Sequence, residues 1–301
     1  MKRFDFNKIL IIESIDPKQT NLYQVGEDLK AAIDKKISDL RAQGKDMNGI
    51  SCDLIHISSM DKWNELWDNM VSEAENGCYP IIHFVCHGSK DGMSIFNSTG
   101  YEIIQWENVI LNISRVNKIT KNNTFVTMCV CHGFFSLLKL YSATTIPFCG
   151  IIASTGLVYT LQAIFAYTDF YSSLLTNEDL TEAYKKINDV IKFLRQKPVY
   201  KDIDLIIKLS DELFVESYKK YISDRIDPEK AKLDFIKGIE SSPDYKDLTP
   251  EEKAAIVEKY MSNFPKFQNE TYRIIRDRKF MLDKYPEEID RYDFPDKIIE
   301  D

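Results

Sequence analysis

Five short apolar runs punctuate the first 155 residues, each with the length of a strand. They cover Lys8 to Ile15, Cys52 to Ser58, Pro80 to Cys86, Thr124 to Val130 and Phe148 to Ser154. Runs of this length, rich in Ile, Val and Phe and separated by helical stretches, predict an α/β unit with a mostly parallel sheet. The third and fourth are apolar at nearly every position, as expected for central strands covered on both faces. Helices are predicted over Gln19 to Ala42, Asp61 to Glu75, Trp106 to Ile113, Phe134 to Tyr141, Leu161 to Leu175 and Leu180 to Leu194. Between Gly88 and Gly100 the text reads as a hairpin or loop just past a strand end, where open α/β sheets build their sites.

After about residue 200 the strand-like runs give way to charged, helical sequence, which divides the chain into a core of 1–200 and a helical module of 201–301. Asp227-Pro228-Glu229 has the form of a helix start, and Thr249-Pro250-Glu251-Glu252 adds a capping-box Glu. Ala255, Ile256, Tyr260 and Phe264 recur at helical spacing and predict a stripe packed on the core, with Glu252, Lys253, Glu258 and Lys259 in solvent.

Composition narrows the function. The chain has 301 residues, is 44% hydrophobic and carries a net charge of −8, which opposes binding to the nucleic-acid backbone. No run reaches the ~18 apolar residues of a membrane span, so no membrane partner is expected. The opening Met1-Lys2-Arg3-Phe4-Asp5 lacks the pattern of a signal peptide. The six cysteines lie in or beside strand-like runs, as reduced thiols do, and the expected location is cytoplasmic.

Two strand ends carry the chemistry. One reads Ile81-Ile82-His83-Phe84-Val85-Cys86-His87-Gly88, the other Thr124-Phe125-Val126-Thr127-Met128-Cys129-Val130-Cys131-His132-Gly133. A thiol becomes a nucleophile when a neighbouring imidazole takes its proton or stabilises the thiolate. His87 and Cys131 form such a pair if their strands are neighbours, because parallel strands end at the same edge of the sheet.

A strand ending in His-Gly, then a strand ending in Cys-x-Gly, resembles the caspase-like cysteine proteases, whose His stands about 50 residues before the Cys. The separation here is 131 − 87 = 44 residues. Cys129-Val130 replaces the Gln-Ala of caspases proper. Gly150-Ile151-Ile152-Ala153-Ser154-Thr155-Gly156, then a helix with Asp169-Phe170-Tyr171, is similar to the CHAT branch of that superfamily. The resemblance covers about residues 50 to 195. It implies a caspase-like three-layer sandwich and a cysteine endopeptidase with Cys131 as nucleophile and His87 as proton carrier. It further implies an oxyanion hole from the Gly88 and Cys131 amides, and a specificity pocket lined by Ala153, Ser154, Thr155 and Gly156. The implied partners are a protein substrate, such as a gasdermin-like pore former or toxin-type effector, and a regulatory protein in a bacterial defence or cell-death system. No cofactor or metal is implied.

Other readings compete. Cys129 is the rival nucleophile, sharing a strand face with Cys131. His83 lies about 13 Å back along the strand from His87 and reads as a core or helix-facing residue, and His56, Cys52, Cys86 and Cys149 read as structural. His132 should point away from the pocket. Cys86, His87, Cys129, Cys131 and His132 offer ligands for zinc but lack Cys-x-x-Cys spacing. Asp91 and Asp169 are candidates to face the pocket, against the alternative of solvated charges. The short segment from His132 to Pro147 predicts a single-chain enzyme without internal processing. The alternative to an enzyme is a catalytically silent caspase-like scaffold.

Overall fold

A computed structural model describes residues 4–19, 24–47, 49–142, 145–196, 205–225 and 228–299. The chain divides into two compact units, one spanning Arg3–Ser210 and the other built on Asp211–Asp301.

The larger unit is α/β. Its strands are β1 (Lys8–Ser14), β2 (Ser51–His56), β3 (Pro80–Cys86), β4 (Gly92–Asn97), β5 (Gly100–Gln105), β6 (Phe125–Cys129), β7 (Gly150–Ser154) and β8 (Leu205–Leu209). Six of them form one sheet in the order β2-β1-β3-β6-β7-β8, with every pair parallel except β7 and β8. β4 and β5 form a separate antiparallel hairpin. The helices are α1 (Val25–Ala42), α2 (Met60–Glu75), α3 (Trp106–Ile119), α4 (Thr160–Asn177) and α5 (Leu180–Arg195).

Alternation along β3 fixes the layers. Phe84 points to one face, where the Trp63 and Trp67 rings of α2 each lie 6.4 Å from it and 5.2 Å from one another. His83 points to the other face, into α4: its ring meets Tyr167 edge-on at 4.6 Å. Successive residues of a strand face opposite sides, so helices cover both faces of the sheet in three layers. Three polar side chains buried on the α4 face bond to one another through His83 Nδ1. His83 Nδ1 lies 2.7 Å from Thr127 Oγ1 and 3.2 Å from Tyr171 OH, which are themselves 2.8 Å apart.

Several boundaries differ from expectation. β8 lies beyond residue 200, so the sheet runs ten residues past the composition shift. Its Leu205-Ile206-Ile207 sequence is too short to stand out in charged surroundings. In place of a helix over 134–141 the chain forms a 3-10 helix, Gly133–Ser142. α1 begins at Val25, and Asp16-Pro17 makes a turn in which the Lys18 N–H donates to Asp16 Oδ1 and the Gln19 N–H to Asp16 O.

The smaller unit holds α6 (Ser210–Arg225), α7 (Pro228–Ser241) and α8 (Pro250–Lys279). Asp227, the expected cap of α7, lies outside the described residues. Thr249 caps α8 through the complete capping box with Glu252, an arrangement that contributes about 1 kcal/mol. The buried residues of α8 include Val257, Phe264 and Tyr272; of the expected stripe Phe264 is buried, Ile256 and Tyr260 are partly buried and Ala255 is exposed. An aromatic cluster of Phe214, Tyr272, Phe280, Tyr292 and Phe294 forms this unit's own core.

His83 makes the larger unit sensitive to acid. Burial, with no partner for Nε2 among the described residues, lowers its pKa from 6.5 to about 3. The folded state therefore binds this proton less readily than the unfolded chain. The stabilisation is complete above pH 6.5 and is lost as pH falls from there toward 3. Between pH 6.5 and 5.5, urea unfolding should show the wild type losing about 1 kcal/mol more than His83→Leu. Equal losses would mean that His83 is not held neutral.

Candidate active site

The β3–β6 pairing aligns the two strand ends. Ile81 lies opposite Phe125 and Val85 opposite Cys129. His87 and Cys131 each lie two residues past that last pair, just beyond the ends of β3 and β6 at the carboxyl edge of the sheet. Both are half-buried.

Close contact between the two segments explains the glycine. A Cβ at Gly88 would overlap the carbonyl oxygen of Cys131 and Cγ1 of Val130. The absence of a side chain is what lets the His87-Gly88 backbone lie against Cys131. Gly88 also bridges to Met93, the Ser94 N–H donates to His87 O at 2.9 Å, and the Trp106 indole N–H reaches Ser89 O at 3.1 Å. The hairpin and α3 thus hold the His strand from one side.

Cys131 sits on a sharp turn. His132 adopts left-handed backbone, φ 58°, which costs about 1–2 kcal/mol for a residue with a side chain. The Gly133 N–H closes the turn on Val130 O. The His132 N–H donates to Gly156 O at 2.8 Å, and its Nδ1 lies 3.3 Å from Thr155 O. His132 therefore faces the 155–156 loop and ties it to the cysteine turn. The next residues pass over the thiol: the Val158 N–H donates to Cys131 Sγ at 3.3 Å.

His87 has a different neighbour. Its Nε2 lies 3.0 Å from Gln19 Oε1, and its ring meets Tyr101 edge-on at 5.0 Å. Burial lowers its pKa, which favours the neutral imidazole. Among the described residues no hydrogen bond joins His87 to Cys131.

The expected pocket residues separate. Ala153 and Ser154 are fully buried within β7, since they belong to a strand covered on both faces and do not line an open pocket. Ser154 Oγ instead accepts from the Gly156 N–H at 3.1 Å and supports the loop from beneath. Thr155 and Gly156 are half-exposed beside Cys131. Asp91 and Asp169 are both exposed, as solvated charges are.

Cys129 is a poor rival. Burial, with smaller contributions from nearby Cys131 and Glu13, pushes its thiol up to about 12. Burial raises Cys86 further and takes Cys52 to about 12. His56 pairs with the buried Glu13, Nδ1 to Oε2 3.1 Å, and Glu13 Oε1 accepts the Gly26 N–H of α1 at 2.8 Å. That pair anchors the helix to β1 and, among the described residues, makes no hydrogen bond to His87 or Cys131. Among the described residues no group of three or more His, Cys, Asp or Glu is arranged to hold a metal ion, and no helix is long and apolar enough to cross a membrane.

Gln19, Tyr101 and Val158 were not marked by the sequence as site residues. Asp16-Pro17 was the available signal for Gln19, since it keeps that residue out of α1. Val158 and Tyr101 have no local signature. Compared with protein-family models the chain matches none, and a search of curated proteins finds no match.

Gly88→Ala should displace Cys131 from His87. The overlap should cost about 1–3 kcal/mol in urea unfolding, and iodoacetamide should modify Cys131 severalfold more slowly at pH 7.5. Unchanged stability and labelling would show that the two segments do not touch.

Proposed function

We propose that this chain is a caspase-like cysteine endopeptidase of the CHAT type, cleaving a protein substrate through Cys131 and His87. The observation that carries the reading is the β3–β6 register, which brings a half-buried thiol and a neutral imidazole to neighbouring strand ends at the carboxyl edge. Cys131 Sγ attacks the scissile carbonyl carbon, and its proton passes to His87 and then to the leaving amine. The Gly88 and Cys131 amides stabilise the oxyanion, and water hydrolyses the thioester. Thr155 and Gly156 contribute to the wall of the substrate pocket.

The resting contacts favour a regulated enzyme. The thiol accepts from the Val158 N–H and, among the described residues, no hydrogen bond joins it to His87, so the pair must be brought together before proton transfer. A protein partner in a defence or cell-death system would supply that trigger, and a gasdermin-like or toxin-type effector would be the substrate. The same absence of a bond between His87 and Cys131 favours a second reading, a catalytically silent scaffold.

A thiol-reactive peptide electrophile separates the two. The enzyme reading expects selective labelling of Cys131, lost in His87→Ala, and loss of all substrate cleavage in Cys131→Ala. Slow, even labelling of the six cysteines would favour the scaffold, and cleavage that survives Cys131→Ala would overturn the dyad.

A further inference from the structure

Gln19 stands on the turn after β1, and two contacts of its own and two of its neighbours place it against His87. Its backbone N–H donates to Asp16 O at 2.9 Å, which closes the turn. Its side-chain Oε1 lies 3.0 Å from His87 Nε2. The Asp16 N–H in turn donates to the hydroxyl of Tyr101 at 3.3 Å, and the Tyr101 ring packs edge-on against the His87 ring at 5.0 Å. One turn of β1 and one residue of β5 thus hold the imidazole from two sides.

The chemistry of the amide sets the consequence. An amide carbonyl oxygen has lone pairs and no proton to give, so an imidazole nitrogen facing it must be the one that carries the hydrogen. In a neutral imidazole only one nitrogen is protonated, and the other holds the lone pair. Burial of His87 favours that neutral form.

We propose that Gln19 is the positioning residue of the dyad: through Oε1 it holds the His87 proton on Nε2, leaving Nδ1 as the nitrogen that takes the proton of Cys131. In that step the Sγ–H bond of Cys131 breaks and an Nδ1–H bond forms, giving thiolate and imidazolium, with Gln19 still accepting from Nε2. This role rests on the proposed function, but the tautomer itself does not.

The test is nitrogen NMR of the full-length protein labelled with ¹⁵N-histidine. The four histidines are few enough to assign by difference against His87→Ala. Wild type and Cys131→Ala should both show His87 as the Nε2–H tautomer. Gln19→Leu removes the acceptor and should release the ring to a mixture of tautomers. Gln19→Glu keeps an acceptor, should restore the Nε2–H form, and should raise the His87 titration midpoint by about one pH unit. An Nδ1–H tautomer in the wild type, expected if the amide instead turned its NH₂ toward the ring, would overturn the proposal. So would a Gln19→Leu spectrum identical to wild type. If the tautomer is as expected yet no peptide electrophile labels Cys131, the brace stands and the protease reading falls.

Discussion

The pairing of β3 with β6 is the constraint on which the rest depends. Parallel strands slip only in steps that flip or displace every side chain, and here slippage is blocked on both faces. On one face His83 must meet Thr127 and Tyr171, and on the other Phe84 must meet Trp63 and Trp67. A shift of one residue would put an imidazole among indoles and a phenyl ring among hydroxyls. The buried polar trio thus acts as a register pin below the site, and the pin sets which residues of β3 and β6 end together at the carboxyl edge.

Above the pin, strand ends are shaped by backbone. Gly88 allows one segment to touch the other, and left-handed His132 turns the chain at once after Cys131. Strain of that kind persists where its surroundings hold it, and the bonds of His132 to the 155–156 loop provide that hold. The result is a thiol and an imidazole at one edge, each engaged by a loop and not by the other.

Much of this was legible in the sequence. The five apolar runs gave five strands of the main sheet within two residues at each end, because short Ile- and Val-rich runs between helices have few other uses. His87, Gly88 and Cys131 could be marked because their spacing and neighbours carry chemistry. β8 was missed, since five residues in a charged region carry little periodicity, and its place in the sheet comes from pairing with β7, 55 residues earlier by the Gly150↔Leu209 and Ser154↔Leu205 contacts at their mean. Ala153 and Ser154 were assigned to a pocket because the motif runs from strand into loop, and only burial distinguishes the strand half from the loop half. Gln19 and Val158 act through contacts that join distant segments, which no local pattern announces.

The central claim is that His87 governs the thiol of Cys131, and the pH dependence of Cys131 alkylation tests it most directly. In the wild type the rate should rise at a lower pH than in His87→Ala. Superimposable profiles would contradict the account.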